Sequence, residues 1–201
     1  MRILPSGDRA LLVELDDLDQ VLAYYTALTT RPPADVVDIV PAARTILVTT
    51  TGSLDALSHT LGSVTPTPGT RATGDLIEIP VIYDGEDLQD VADLLGCTAS
   101  EVTRRHTSEE WTVAFCGFAP GFGYLTGSSS WDVPRRQSPR TKVPMGAVAL
   151  AGEFSGVYPR ESPGGWQLIG RTDVLIFDQE RDPAALFHPG RRVRFVDAGR
   201  G

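Results

Sequence analysis

The stretch Trp111-Thr-Val-Ala-Phe-Cys-Gly-Phe-Ala-Pro-Gly-Phe-Gly-Tyr-Leu125 joins an apolar run directly to three glycines set among aromatics. β-Branched and aromatic residues fit the half-buried surface of a pleated sheet, so residues 111–115 read as a strand. The glycines allow a sharp turn or a close backbone approach. The same alternation continues toward the carboxyl terminus. From Trp111 on the sequence holds 13 Gly and 8 Pro, with further short apolar runs at 147–150, 174–177 and 192–195. Many short strands separated by Gly/Pro turns predict a barrel or sandwich.

Toward the amino terminus the pattern changes to helices. Leu88, Val91 and Leu95 share one helical face that ends at Gly96, and Thr98-Ala-Ser-Glu101 has the spacing of a capping box opening a second helix. Further back, 9–15 reads as a strand, and Leu18, Val21, Leu22, Tyr25 and Leu28 recur with helical period. The runs 36–40 and 45–48, linked through Pro41, form a predicted hairpin. Leu54, Leu57 and Leu61 mark a helix, a Pro/Thr/Gly loop runs through Gly74, and 75–82 alternates as a strand. The resulting βαββαβ order is that of the ferredoxin-like split βαβ unit. The expected organisation is therefore α+β, with a small ferredoxin-like α/β domain over 1–83 and a barrel or sandwich domain over 84–201 that opens with two short helices.

With 201 residues, 41% hydrophobic and 22% charged, the chain has the composition of a folded globular protein. Its net charge of −8 runs against the basic footprint that nucleic acid or anionic lipid demands, so neither is expected as a partner. No apolar run reaches the roughly 20 residues of a membrane span. Pro5 and Gly7 interrupt the beginning before a signal-peptide core develops, so a cytoplasmic location is expected. Cys97 and Cys116 lack Cys-x-x-Cys spacing, and His59, His106 and His188 lie far apart, so no metal site is expected. Charge is segregated: residues 72–93 carry seven acids and no base, whereas 133–152 carry Arg135, Arg136, Arg140 and Lys142 and no acid.

Several segments point to chemistry. The glycine loop 117–123 is either an anion-binding nest of backbone N–H groups or a tight turn packed by Phe118 and Phe122. It is not a Walker A loop, because no Gly-Lys pair occurs in the chain. Arg135, Arg140 and Lys142 are spaced by Pro134, Pro139 and Pro144, whose rigidity suits a convergent carboxylate or phosphate clamp. A solvated charged face is the alternative. Tyr158-Pro-Arg-Glu-Ser-Pro-Gly-Gly-Trp-Gln167 is a second Pro/Gly loop. His106 reads either as a general base or as a helix-terminal histidine, and His59 and His188 as structural. Cys116 is expected to be an inert buried thiol, and no Gly-x-Ser-x-Gly elbow is present.

Gly117 to Leu125, Ser138-Pro-Arg-Thr-Lys-Val-Pro144, Gly156-Val-Tyr-Pro159 and Ser162-Pro-Gly-Gly-Trp-Gln-Leu-Ile-Gly-Arg-Thr172 together resemble the KipI/PxpB family. That family is also called allophanate hydrolase subunit 1 or carboxyltransferase subdomain C. The resemblance implies a cyclophilin-like barrel and the B-type subunit of ATP-dependent 5-oxoprolinase, which converts 5-oxo-L-proline to L-glutamate as ATP, with Mg as its counter-ion, is hydrolysed. It also implies partner subunits of the KipA/PxpC and LamB/YcsF (PxpA) types, with ATP bound in the assembled complex and this chain inactive alone. In that frame His106, Arg140 and Lys142 are the catalytic candidates. Gly117, Phe118, Pro120, Gly121, Phe122 and Tyr124 are candidates for substrate or phosphate binding, joined by Arg135, Gly164, Gly165 and Trp166. Two alternatives follow from the same resemblance: a regulatory protein that inhibits a sensor histidine kinase, or a component of an allophanate hydrolase or urea carboxylase type of system. Departures from the family pattern are Phe154-Ser155-Gly156 where Gln-Thr-Gly is common, Met145 where alanine is usual, and Thr172-Asp173 for Thr-Pro.

Overall fold

The computed structural model describes residues 1–67 and 75–199. The chain forms two compact units, Met1–Arg71 and Ala72–Gly201. In the first, β1 (Arg2–Pro5), β2 (Ala10–Glu14), α1 (Leu18–Thr30), β3 (Val36–Pro41), β4 (Thr45–Thr50) and α2 (Leu54–Ser63) follow in order. The strands form an antiparallel sheet in the order β1-β2-β4-β3. Asp17 caps α1 by accepting the Gln20 N–H at 2.8 Å, and the helix buries Leu18, Val21, Tyr24 and Leu28. Leu57 and Leu61 are the buried residues of α2, and the Tyr24 hydroxyl donates to the Leu61 carbonyl. Pro41 is tolerated because β3 lies at a sheet edge.

This sheet has the ferredoxin-like strand order, but the strand that completes it differs from expectation. The edge beside β2 is taken by β1, a segment not read as a strand. The strand expected there is β5 (Leu76–Val81), and it lies in the second unit. Ile79 and Val81 pack into that unit's core with Val193 and Phe195. The expected division at 83/84 is thereby corrected, since β5 pairs along its whole length with the last strand. The Pro/Thr/Gly loop through Gly74 lies, from residue 68 on, outside the described residues.

The second unit continues with α3 (Leu88–Leu94), α4 (Ala99–Ser108), β6 (Trp111–Cys116), β7 (Gly123–Thr126), β8 (Arg140–Val143), β9 (Ala147–Ala151), β10 (Phe154–Val157), β11 (Ser162–Gly164), β12 (Gln167–Arg171) and β13 (Arg192–Asp197). Seven strands run in the order β12-β9-β10-β7-β6-β13-β5, with β5 and β13 parallel. The chain leaving β5 then returns to β12. Ile82 bridges Arg171, and the Gly85 and Asp87 N–H groups donate to the Ile169 and Leu168 carbonyls at 3.3 and 2.9 Å. The two edges of the sheet meet there, which closes the barrel. β8 and β11 form a separate ribbon.

Local signals explain the helices. Gly96 takes a φ of 65° after α3, and the Thr98 side chain accepts the Glu101 N–H at 3.2 Å. The Glu101 carboxylate turns to Arg104, so only half of the expected capping box forms. The run 174–177 is not a strand. Phe177 makes only an isolated bridge with Ala185, flanked by the Leu186 N–H on the Ile176 carbonyl at 2.8 Å, and the Arg181 guanidinium also donates to the Leu175 and Ile176 carbonyls at 3.0 and 3.1 Å. On β9 the period of 2 divides two clusters. Val148 and Leu150 enter the main core, while Ala147, Ala149 and Ala151 face a second cluster containing Phe122, Tyr158 and Trp166. Small residues on that face leave room for aromatic rings.

Candidate functional site

The second cluster opens into a cleft of about 90 Å³ lined by Phe118, Phe122, Tyr124, Arg135, Tyr158, Gly164, Gly165 and Trp166. Its rings hold one another edge-on. Phe122 meets Tyr158 at 5.4 Å and 73° and Trp166 at 5.3 Å and 86°, while Phe118 meets Phe122 at 5.3 Å and 73°. Such pairs fix rotamers as well as burying area. Gly164 fits because any Cβ there would strike the Tyr158 hydroxyl. Burial raises the pKa values of Tyr124 and Tyr158, the latter against a smaller opposing hydrogen bond from the Trp166 backbone, so both phenols stay neutral.

The glycine loop serves as a wall of this cleft. The Ala119 N–H donates to the Gly117 carbonyl at 2.7 Å, a γ-turn centred on Phe118, whose φ is 67°. This strained residue leaves Phe118 57% exposed at the cleft rim. The Gly117 and Phe122 N–H groups also bond within the loop, to Phe122 and Ala119 carbonyls. With these three donors consumed, the expected anion nest is not formed by them. Gly117, Pro120 and Gly121 shape the turn and do not line the cleft; Gly121, at a φ of 83°, lies flat against Phe177.

The expected three-cation clamp does not converge. Arg140 donates to Glu86 at 3.0 Å and to Asp87 at 2.8 Å, and Arg136 donates to the same Asp87 oxygen at 2.6 Å. The other Asp87 oxygen accepts the Leu168 N–H at 2.6 Å. Burial works to raise the Asp87 pKa, but hydrogen bonds from Arg140 and Leu168 and the two arginine charges outweigh it and hold the carboxyl below its ordinary value. The acidic and basic blocks of the sequence thus neutralise each other at this point. Lys142, 75% exposed, pairs with Glu161 at 3.1 Å and takes no part in the cleft.

Arg135 differs from its neighbours. Among the described residues it has no hydrogen-bond or ion-pair partner, and it reaches the cleft. The backbone on either side is pinned to the segment that carries Trp166: the Pro134 carbonyl accepts from the Gln167 side chain at 3.1 Å, and the Arg136 N–H donates to the Gly165 carbonyl at 2.8 Å.

The acid/base role expected of His106 is corrected by its position. The side chain is fully buried, stacked on Phe195 at 4.4 Å, and burial lowers its pKa to about 3. Nδ1 lies 2.7 Å from the Tyr83 hydroxyl and Nε2 lies 2.8 Å from Ser155 Oγ, so both nitrogens are engaged inside the barrel. His106 holds the core together and does not line the cleft. Burial likewise raises the Cys116 thiol to about 11, which leaves it unreactive.

Seven of the sequence-derived binding candidates line one cleft, and Tyr158 completes it. Asp87, to which the sequence assigned no role, proves central to the neighbouring ion-pair cluster. A nucleotide does not fit this cleft: its volume falls well short of the roughly 300–1,000 Å³ of sites for drug-sized ligands, and two of the three nearby arginines are already paired. Among the described residues there is no group of three His, Cys, Asp or Glu side chains that could hold a metal ion, and no helix is long and apolar enough to cross a membrane.

Residues 1–187 match the family described as carboxyltransferase domain, subdomain C and D. The chain is 40% identical to the B-type subunit of 5-oxoprolinase from Escherichia coli O157:H7 over 208 residues, covering 97% of this chain and 95% of that one. It is 45% identical to the B-type subunit of 5-oxoprolinase from Bacillus subtilis (strain 168) over 125 residues, covering 60% and 52% of the two chains. Among solved structures, PH0987 from Pyrococcus horikoshii is 34% identical with a TM-score of 0.59, covering 98% of this chain and 97% of that one. TTHA0988 is 34% identical with a TM-score of 0.76 over 94% of this chain, which spans only 40% of that longer protein. The Kluyveromyces lactis urea amidolyase, 19% identical with a TM-score of 0.76 over 98% of this chain and 15% of its own, shares the fold.

Proposed function

The chain belongs to the carboxyltransferase domain, subdomain C and D family, and from that membership we propose that it is the B-type subunit of an ATP-dependent 5-oxoprolinase. The observation that carries this reading is the correspondence, at 40% identity and nearly end to end, with a 5-oxoprolinase component of that type. Ring opening adds one water across the lactam C–N bond of 5-oxo-L-proline and yields the amine and second carboxylate of L-glutamate, while a second water is consumed as ATP becomes ADP and phosphate. A lactam is a resonance-stabilised amide, which is why its hydrolysis is coupled to a nucleotide.

What this chain brings to that reaction is binding. Its buried thiol and its core-locked histidine form no nucleophile system, and its cleft offers flat apolar walls, neutral phenols and one free guanidinium. The chemistry accordingly belongs to an assembly with KipA/PxpC-like and LamB/YcsF (PxpA)-like subunits, and ATP with its Mg²⁺ is a co-substrate of that assembly. Reconstitution tests the proposal. The three subunits together should form glutamate from 5-oxoproline only with ATP, and leaving this chain out should abolish the reaction. Full turnover without it, or none with it, would overturn the assignment.

A further inference from the structure

We propose that the aromatic cleft is a small-carboxylate site in which Arg135 anchors the carboxylate of a single-ring substrate, and that the nucleotide is held outside it. The choice of 5-oxoproline as that substrate rests on the 5-oxoprolinase reading; the assignment of the cleft rests on four observations.

The first is the contrast among the arginines of one loop. Arg136 and Arg140 converge on Asp87, and Arg140 also reaches Glu86, so their charges are answered within the chain. Arg135, between two pinned residues, is exposed and lines the cleft, where its charge acts on Tyr124 and Tyr158, and among the described residues it pairs with no carboxylate. A guanidinium pairs with a carboxylate through two parallel hydrogen bonds, a match that supplies orientation as well as attraction.

The second is the shape of the walls. Phe122, Tyr158 and Trp166 present ring faces and edges set nearly at right angles, and Gly164 and Gly165 add no side chain. Such walls receive a compact flat ring. The third is volume: about 90 Å³ admits one small ring and excludes a nucleoside with its phosphates.

The fourth separates a carboxylate from a phosphate. Phosphoryl sites gather several cations or backbone donors around the group. Here the cleft has a single guanidinium, and the Gly117, Ala119 and Phe122 N–H groups bond within their own loop. The Tyr124 hydroxyl, which has no hydrogen-bond partner among the described residues, supplies a neutral polar group suited to an amide.

The test uses the assembled complex. Arg135→Gln should raise KM for 5-oxo-L-proline about tenfold or more, the effect of a lost charge-assisted hydrogen bond, and leave KM for MgATP unchanged. Inhibition by 2-pyrrolidinone, the same lactam without a carboxylate, should be equally strong in both forms, because Arg135 has nothing to hold in it. An unchanged KM for 5-oxoproline, a parallel loss of pyrrolidinone inhibition, or a raised KM for MgATP would each overturn the proposal. If the wild-type complex makes no glutamate, the 5-oxoprolinase reading fails by itself. The cleft is then tested by titrating the full chain with cyclopentanecarboxylate and following tryptophan fluorescence, to which Trp166 contributes. Saturable binding that Arg135→Gln removes supports the site; no binding, or binding indifferent to Arg135, overturns it.

Discussion

Replacing Asp87 by Asn should destabilise the barrel unit by about 3 kcal/mol. The carboxylate is 2% exposed and accepts three hydrogen bonds, from Arg136 at 2.6 Å, Arg140 at 2.8 Å and the Leu168 N–H at 2.6 Å. Removing one partner of a buried ion pair costs roughly 3–5 kcal/mol because the remaining charges stay desolvated. The lower end applies, since Arg140 keeps Glu86 and the Arg136 side chain is 32% exposed. Urea unfolding followed by tryptophan fluorescence reads this unit specifically, because Trp111, Trp131 and Trp166 all belong to it. With a urea slope of about 1.5 kcal/mol/M, the midpoint should fall by about 2 M. Arg140→Ala should also destabilise the unit, and the double variant should lose less than the sum, as coupled partners do. A loss under about 1 kcal/mol for Asp87→Asn, or additive losses in the double variant, would refute the view that this triad fastens the 133–140 loop to α3 and β12.

An unfolded histidine protonates near 6.5, whereas folded His106 stays neutral down to about 3, so the unfolded state binds the extra proton and stability falls as pH drops below 6.5. At pH 5 the loss should be about 2 kcal/mol relative to pH 7.5, measured as the difference in unfolding free energy, and it should be missing from His106→Asn. The Asp87 carboxylate, lowered in the folded state, adds a further loss only once pH falls through its folded pKa, below 3.8. Gly121→Ala should cost more than about 1 kcal/mol, because the residue has a φ of 83° and a Cβ would lie 2.6 Å from Phe177. Gly117→Ala, whose nearest neighbour would be Tyr124 at 3.7 Å, should be tolerated, and thermal melts of the two variants beside the unsubstituted chain read both outcomes. Lys142→Ala should leave stability within about 0.5 kcal/mol and both KM values unchanged, since its ion pair with Glu161 is exposed on both sides.

Much of the fold is legible wherever a local signal is decisive. The helical period from Leu18 to Leu28, the hairpin around Pro41, the stop at Gly96 and the cap at Thr98 each depend on neighbours within a turn or two, and each forms. The strand 75–82 also forms, but its partner does not follow from its own alternation. Pairing with β13 across more than a hundred residues is decided by which core offers Ile79 and Val81 a place. The run 174–177 looks like a strand by composition, but it meets residues 184–186 at a single bridge, and the Arg181 side chain folds back onto its carbonyls.

The cleft is legible from its glycines and aromatics because those residues are scarce and clustered in sequence as they are in space. The division of labour among the arginines is not. Arg135, Arg136 and Arg140 have the same chemistry and similar proline neighbours, and what separates them is the reach of Asp87 from the start of α3. The segregated charge pattern holds that information, since the acidic block at 72–93 contains the residues that neutralise the basic loop. His106 shows the converse: a histidine near a helix end reads as available, and its burial depends on Tyr83, Ser155 and Phe195 from three distant segments.

The most direct measurement is a crystal structure of the assembled complex soaked with 5-oxo-L-proline. The lactam ring should lie between Phe122, Tyr158 and Trp166, its carboxylate on the Arg135 guanidinium, with Arg136 and Arg140 still paired to Asp87. Ligand bound elsewhere with this cleft empty, or a carboxylate held by Arg140 or Lys142 instead, would contradict it.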